Sequence, residues 1–174
     1  INDKVAAKSR ELGHQIGTTA AILLLSDTYV IIGNVGDSRV YRYANGQLKQ
    51  ISQDHSDREL LLELGVKERK PSLLQFVGVS EEKCVLHPFI ISLRHCSQDR
   101  YIVCSDGLTD MVQDTEIEDI CAQQNNPLSC AQNLVQCALK KGGKDNITVI
   151  VSYLDDQESK VLKKIKSHIV KQVE

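Results

Sequence analysis

Short runs of hydrophobic residues alternate with polar turns along this chain. The runs at 18–25 and 28–35 are rich in apolar, strand-forming residues, and the Ser26-Asp27 pair between them predicts a hairpin. Asn45-Gly46 is the strongest hairpin-turn dipeptide in the sequence and predicts a second hairpin. Runs of strand length occur at 18–25, 28–35, 38–43, 47–51, 84–93, 100–104 and 146–154.

Helical spacing of apolar residues is found in a few other segments. We predict helices over 3–14 and 57–64, and two more that begin at the N-caps Asp114 and Asn126, the second with Pro127 at its first position. Residues 66–82 are predicted to form a loop with a short extended piece near 73–77. Strands and helices come in blocks, which predicts an α+β domain with antiparallel sheets over residues 1–156.

The composition changes after Asp155, where the chain becomes rich in lysine. Residues 157–174 repeat an apolar residue every four positions, at Val161, Ile165, Ile169 and Val173. This spacing predicts a basic amphipathic C-terminal helix or linker. Such a helix docks on the domain or leads away from it, or it contacts a partner or a membrane surface.

Bulk composition excludes several classes of protein. The 174 residues are 41% hydrophobic and 25% charged, with a formal net charge of −2 and a pI of about 6.2, so no global attraction to nucleic acid or anionic lipid is expected. No stretch approaches the roughly 20 apolar residues of a transmembrane helix. The six cysteines form no C-x-x-C pair, which favours reduced, buried thiols in a cytoplasmic protein.

Aspartates lie beside three apolar strands. Asp37 follows the run that ends at Val35, Asp106 follows Cys104 with Asp110 four residues later, and Asp145 precedes the last strand. Carboxylates that meet at strand ends repel each other, and a divalent cation removes that cost. Oxygen ligands favour Mg²⁺ or Mn²⁺. The alternative is that each aspartate only caps a turn or a helix.

Five motifs follow one another along the chain. They are Gly17-Thr18-Thr19, Val35-Gly36-Asp37-Ser38-Arg39, Gln53-Asp54-His55-Ser56, Cys104-Ser105-Asp106-Gly107-Leu108-Thr109-Asp110 and Gly142-Gly143-Lys144-Asp145-Asn146-Ile147-Thr148. In order and rough spacing they resemble the motifs of the type 2C protein serine/threonine phosphatases, with the bacterial branch closest, from about residue 17 to 154.

The resemblance implies an α-β-β-α sandwich of two antiparallel sheets flanked by helices. It also implies hydrolysis of phosphoserine and phosphothreonine on proteins, opposing a serine/threonine kinase, by a water that two or three Mn²⁺ or Mg²⁺ ions activate. Asp106 and Asp145 match ligands of one catalytic ion, and Asp37 and Asp110 match ligands of a third, weaker site shared with Asp106. Three further matching positions support these ligands, namely Ser38, Gly107 and Asn146.

Two departures from the family pattern limit what the resemblance implies. The upstream Asp-Gly that bridges two ions and the upstream phosphate-binding arginine have no counterpart here, so we expect a chain that lacks the first strands and is inactive alone. The stretch 55–79 is short for the flap that admits substrate, and His55 is interpreted as a turn residue rather than an acid catalyst. A catalytically inactive pseudophosphatase with a binding or regulatory role, or a purely structural α+β domain, remains an alternative.

Overall fold

The structure is a computed structural model that describes residues 1–26, 28–66, 69–80, 84–154 and, as backbone only, 166–172. Within these residues it contains five helices and eight strands. The helices are α1 (Asn2–Leu12), α2 (Arg58–Glu63), α3 (Asp106–Thr109), α4 (Asp114–Gln123) and α5 (Pro127–Lys140). The strands are β1 (Ala20–Leu25), β2 (Tyr29–Val35), β3 (Arg39–Ala44), β4 (Gln47–Gln50), β5 (Phe89–Arg94), β6 (Arg100–Cys104), β7 (Ile147–Tyr153) and β8 (Lys166–Gln172).

Two antiparallel sheets are stacked on each other, as the sequence predicts. One has three strands in the order β1-β2-β5, and the other has five in the order β4-β3-β6-β7-β8. Both predicted hairpins are confirmed. Asn45 and Gly46 turn the β3-β4 hairpin with positive φ angles of 53° and 79°, the backbone combination of a tight turn that matches strand twist.

The core forms two layers, one on each face of the five-stranded sheet. Val30, Ile32, Val40 and Tyr101 lie fully buried between the sheets. On the other face, α3, α4 and α5 pack against β3, β6 and β7. The largest contributions to that second layer come from Tyr41, Ile102, Leu108, Ile117, Leu134 and Ile147.

The outer face of the three-stranded sheet is apolar but exposed. Ile22 and Leu24 on β1, Ile31 on β2 and Ile90 on β5 project from it, each with 42 to 69% of its surface accessible. Alternation along these strands places every second residue inside the sandwich, so the exposed residues are the ones between the core positions.

Capping side chains determine where helices α4 and α5 begin. Asn126 caps α5, and its side-chain oxygen accepts hydrogen bonds from the backbone N–H groups of Leu128 and Ser129, as predicted. The predicted cap Asp114 is wrong, because α4 begins one residue earlier. Gln113 occupies the cap position and its N–H donates to Glu116, while Asp114 accepts a hydrogen bond from Tyr41.

The predicted C-terminal helix over 157–174 is wrong where the structure describes that segment. Residues 166–172 form β8, which pairs antiparallel with β7 from Tyr153 to Ile147. A spacing of four is even, so it satisfies the two-residue alternation of a strand as well as it satisfies a helix. Residues 157–165 and 173–174 lie outside the described residues.

The prediction that the cysteines are buried is confirmed for three of the six. All six thiols are free, and Cys104, Cys121 and Cys130 are buried. The sulfur atoms of Cys121 and Cys130 lie 3.8 Å apart between α4 and α5. Cys96 is exposed, because it lies in the turn between β5 and β6. Burial raises the pKa of Cys104 to about 12, so this thiol at a strand end is not a nucleophile at neutral pH.

Candidate metal centre

Asp37 occupies the tight turn after β2. Gly36 has a φ of +101°, and a Cβ on it would lie 2.3 Å from the Thr19 side chain, so only glycine fits this turn. The Thr19 and Ser38 hydroxyls are 2.8 Å apart and hold the turn to the start of β1. Burial, and then the negative charge of Asp106, raise the pKa of Asp37.

Asp106 is the first residue of α3, and Asp110 follows the last residue of this helix, one helical turn further on. One residue separates the helix from β6, and the Asp110 N–H donates to the Asp106 carbonyl over 2.8 Å. The two carboxylates are about a quarter exposed. Their separation is set by helix geometry, which places residues four apart on the same face.

Asp145 precedes β7 and is held against the Asp106 loop by main-chain contacts. A Cβ on Gly107 would lie 2.4 Å from the Asn146 carbonyl oxygen, so the two loops touch through their backbones. The Ser105 hydroxyl donates to the Asn146 carbonyl over 3.1 Å and accepts from the Thr148 N–H over 3.0 Å. These bonds tie the residue before Asp106 to the residues after Asp145, and so fix the position of Asp145 relative to Asp106.

Lys70 brings the three aspartates of these two loops to one point. Its ammonium nitrogen is 3.4 Å from Asp106, 3.7 Å from Asp110 and 3.6 Å from Asp145. Because one nitrogen contacts all three carboxylates, the carboxylates converge as the sequence motifs suggest. Asp37 belongs to the same electrostatic group through its interaction with Asp106.

Arg58 is a second cation at this cluster. It lies at the start of α2, and its guanidinium donates to the Asp110 carboxylate over 2.7 Å, with both side chains about a quarter exposed. Sequence reasoning missed Arg58 and Lys70. The only signal for Arg58 in the sequence is its position two residues after the Gln53-Asp54-His55-Ser56 motif. Lys70 lies in the irregular 66–82 segment, where no sequence pattern marks it.

The donor set fits a hard divalent cation. It consists of carboxylate oxygens, the ligands that Mg²⁺ and Mn²⁺ prefer. Burial first, and then the negative charge of Asp106, raise the pKa of Asp37, so both desolvation and a neighbouring carboxylate oppose its ionisation. Across the described residues, no three His, Cys, Asp or Glu side chains are already gathered around a single ion position, and an ammonium group lies between the carboxylates.

The remaining motif residues form the scaffold of the site. Arg39 makes a two-pronged ion pair with Asp54, with nitrogen–oxygen distances of 2.7 to 3.1 Å, and joins the motif of Asp37 to that of His55. The His55 N–H donates to the Gly36 carbonyl, and its ring nitrogen Nδ1 lies 3.4 Å from the Gly36 N–H. Burial lowers the pKa of His55, and a neutral imidazole that accepts a backbone hydrogen bond agrees with the interpretation of a turn residue.

The chain is similar to known proteins over most of its length. The family model described as "Protein phosphatase 2C" matches residues 2–60 and 63–147. The serine/threonine phosphatase stp of Listeria welshimeri is 38% identical over 144 residues, which cover 78% of this chain and 56% of that protein. The chain therefore spans about half the length of this relative.

Solved structures show the same fold. PppA of Pseudomonas aeruginosa superimposes with a TM-score of 0.75 at 30% identity, over 86% of this chain and 63% of its own. The catalytic domain of the serine/threonine protein phosphatase PstP, solved with two manganese ions, gives a TM-score of 0.72 at 26% identity. That match covers 97% of this chain and 66% of the PstP domain.

Proposed function

The chain belongs to the protein phosphatase 2C family, and on that premise we propose that it supplies acidic ligands to the metal centre of a protein serine/threonine phosphatase. The observation behind this proposal is the convergence of Asp106, Asp110 and Asp145 on one cation. The reaction is the hydrolysis of phosphoserine and phosphothreonine on proteins by a metal-activated water. Stp of Listeria welshimeri and PstP are named as serine/threonine phosphatases, and that activity comes to this chain as a proposal.

Each aspartate has its own part in the proposal. Asp106 and Asp145 hold an ion of the catalytic pair, and Asp37 and Asp110 hold a third ion together with Asp106. Bound Mn²⁺ or Mg²⁺ supplies an activated water and neutralises the phosphoryl oxygens. The chain's own task is to keep the carboxylates close together against their repulsion, and the backbone contact between Gly107 and Asn146 does this.

The ions are expected to be Mn²⁺ or Mg²⁺, two or three in number. The oxygen-only donor set supports both ions and disfavours zinc or copper, which take nitrogen and sulfur ligands. Two manganese ions in the PstP domain support manganese for this chain as well.

The proposed substrate is a phosphorylated protein and the proposed opposing enzyme is a serine/threonine kinase. None of the helices in the described segments has the length and apolar content needed to cross a membrane. Six free thiols support a reducing compartment, and we propose the cytoplasm.

The test is hydrolysis of p-nitrophenyl phosphate and of a phosphothreonine peptide, with Mn²⁺ and with EDTA, by the longest natural polypeptide that contains this chain. We expect Mn²⁺-dependent turnover that falls at least a hundredfold in Asp106→Ala and in Asp145→Ala. Asp119→Ala, which removes an exposed carboxylate from α4, is the matched control and retains full activity. Full activity of either site variant would contradict the ligand assignment.

The alternative is a pseudophosphatase that binds partners without hydrolysis. One observation favours it, because Arg58 and Lys70 already neutralise part of the acidic cluster without any metal. Mn²⁺ binding separates the two hypotheses. A chain that binds no Mn²⁺ at millimolar concentration, and whose longer natural form has no turnover, supports the pseudophosphatase.

A further inference from the structure

Lys70 lies in a loop that hydrogen bonds hold in place, and this loop positions its side chain at the acidic cluster. Asp57 accepts hydrogen bonds from Arg69 and from the Ser72 N–H, and its own N–H donates to the Ser72 carbonyl over 3.1 Å. Leu73 adds an isolated antiparallel bridge to Ser56. The chain is thus held to the segment just before α2 by the Arg69 side chain on one side of Lys70 and by the backbone of Ser72 and Leu73 on the other.

The geometry of the ammonium group indicates that it is shared and displaceable. Its three distances to carboxylate oxygens, 3.4 to 3.7 Å, exceed the 2.7–2.9 Å of a tight charged hydrogen bond. The Lys70 side chain is 61% exposed, so its four-carbon stem has room to turn into solvent. Arg58 differs, because it is only 26% exposed and makes one close bond at 2.7 Å.

Electrostatic attraction holds the lysine at this point. Its ammonium nitrogen lies 3.4 to 3.7 Å from oxygen atoms of all three carboxylates. It occupies the point where the three carboxylates would otherwise repel one another.

We propose that Lys70 is an intramolecular competitor of the divalent ion, which must displace its ammonium group from between Asp106, Asp110 and Asp145 in order to bind. This inference rests on the proposed metal centre. It makes Lys70 the residue that sets ion affinity, because each binding event includes the loss of three ammonium–carboxylate contacts. A lysine with a merely structural role would hold the carboxylates in place, and its loss would weaken ion binding.

The first experiment measures Mn²⁺ affinity by isothermal titration calorimetry, with the longest natural polypeptide that contains this chain. We expect Lys70→Met to bind Mn²⁺ about tenfold more tightly than the unmodified chain, because one unit charge beside a divalent ion has an effect of this order at a protein surface. Lys70→Arg keeps the charge and stays within about threefold of the unmodified affinity. Lys49→Met removes an exposed positive charge on β4 and is the matched control.

The outcomes separate this inference from the proposed function. Equal or weaker Mn²⁺ binding by Lys70→Met, with binding intact in the unmodified chain, overturns the competitor role alone. Loss of binding in Asp106→Asn locates the ion at the proposed site. Absence of Mn²⁺ binding in both the unmodified chain and Lys70→Met overturns the metal centre and the competitor together.

A second measurement needs no substitution and so does not depend on a variant that folds. Reductive methylation followed by mass spectrometry reports how accessible each lysine amine is. Saturating Mn²⁺ is expected to increase the labelling rate of Lys70 about threefold or more, while that of Lys49 stays constant. Unchanged or slower labelling of Lys70 in the presence of bound Mn²⁺ would show that the ammonium is not displaced.

Discussion

The ion pair between Arg39 and Asp54 offers the sharpest test of how the motif residues divide between scaffold and chemistry. Both side chains are only 13% exposed, and the guanidinium makes two-pronged contact with the carboxylate. Arg39 also donates to the Tyr41 hydroxyl over 3.0 Å. We predict that Arg39→Met destabilises the fold because it strands a nearly buried carboxylate.

The size of the effect follows from burial. Removal of one partner from a buried ion pair costs about 3 kcal/mol or more, since the remaining charge stays desolvated without its counter-charge. Gln50, which donates to Asp54 over 2.8 Å, compensates only part of that loss. Arg39→Met with Asp54→Asn removes the stranded charge, so the double variant is expected to recover more than half of the lost stability.

Urea denaturation measures the free energy of unfolding of each variant. It is followed by far-ultraviolet circular dichroism, because the chain has no tryptophan for fluorescence. A loss of about 3 kcal/mol shifts the midpoint down by about 1.5 M for an ordinary dependence on urea. Mn²⁺ affinity is measured on the folded variants. A midpoint shift below about 0.5 M would refute the burial argument, and an abolished Mn²⁺ affinity in a stable variant would mean that Arg39 belongs to the centre rather than to the scaffold.

Two further predictions concern the acidic cluster. Gly107→Ala is expected to lower stability by about 2 kcal/mol and to weaken Mn²⁺ binding at least tenfold, because a Cβ would lie 2.4 Å from the Asn146 carbonyl oxygen. Thermal melts measure the stability, and calorimetry measures the Mn²⁺ affinity. Values equal to those of the unmodified protein would contradict the prediction. Asp37→Asn is expected to raise stability at pH 7 in EDTA, because the raised pKa of Asp37 makes its charge costly in the folded state. Protonation of Asp37 removes that cost, so the stability gained by Asp37→Asn shrinks as the pH falls through the raised pKa and vanishes below the ordinary value of 3.8. Thermal melts at several pH values measure this gain. A gain that persists below the ordinary value would refute the claim that the charge of Asp37 is costly in the folded state.

Alternation and turn chemistry made most of the fold predictable. Both hairpins and the Asn126 cap depend on interactions between near neighbours in the chain, and such interactions leave visible sequence patterns. The segment 166–172 was mispredicted because its four-residue repeat is compatible with either periodicity. What selected the strand was the unpaired edge of β7, and that edge exists only in the folded sheet.

The acidic residues of the site were predictable and its basic residues were not. Asp106 follows β6 and Asp145 precedes β7, so antiparallel pairing of these two strands brings them together. Asp37 follows β2 in the other sheet, and the stacking of the two sheets brings it to the same region. Arg58 reaches the cluster from the start of α2, and Lys70 reaches it from a loop that tertiary hydrogen bonds hold in place. The position of such a loop depends on contacts between distant residues, and one sequence does not specify them.

The contact between Gly107 and Asn146 has a consequence for how variants of this protein behave. The separation of the two acidic loops is set by main-chain atoms, whose dimensions are the same in every variant. Substitutions in the surrounding sheets therefore alter the fraction of molecules that are folded. They leave the spacing between Asp106 and Asp145 unchanged in each molecule that folds. We therefore expect the activity per folded molecule to stay nearly constant when many residues around this pair are substituted.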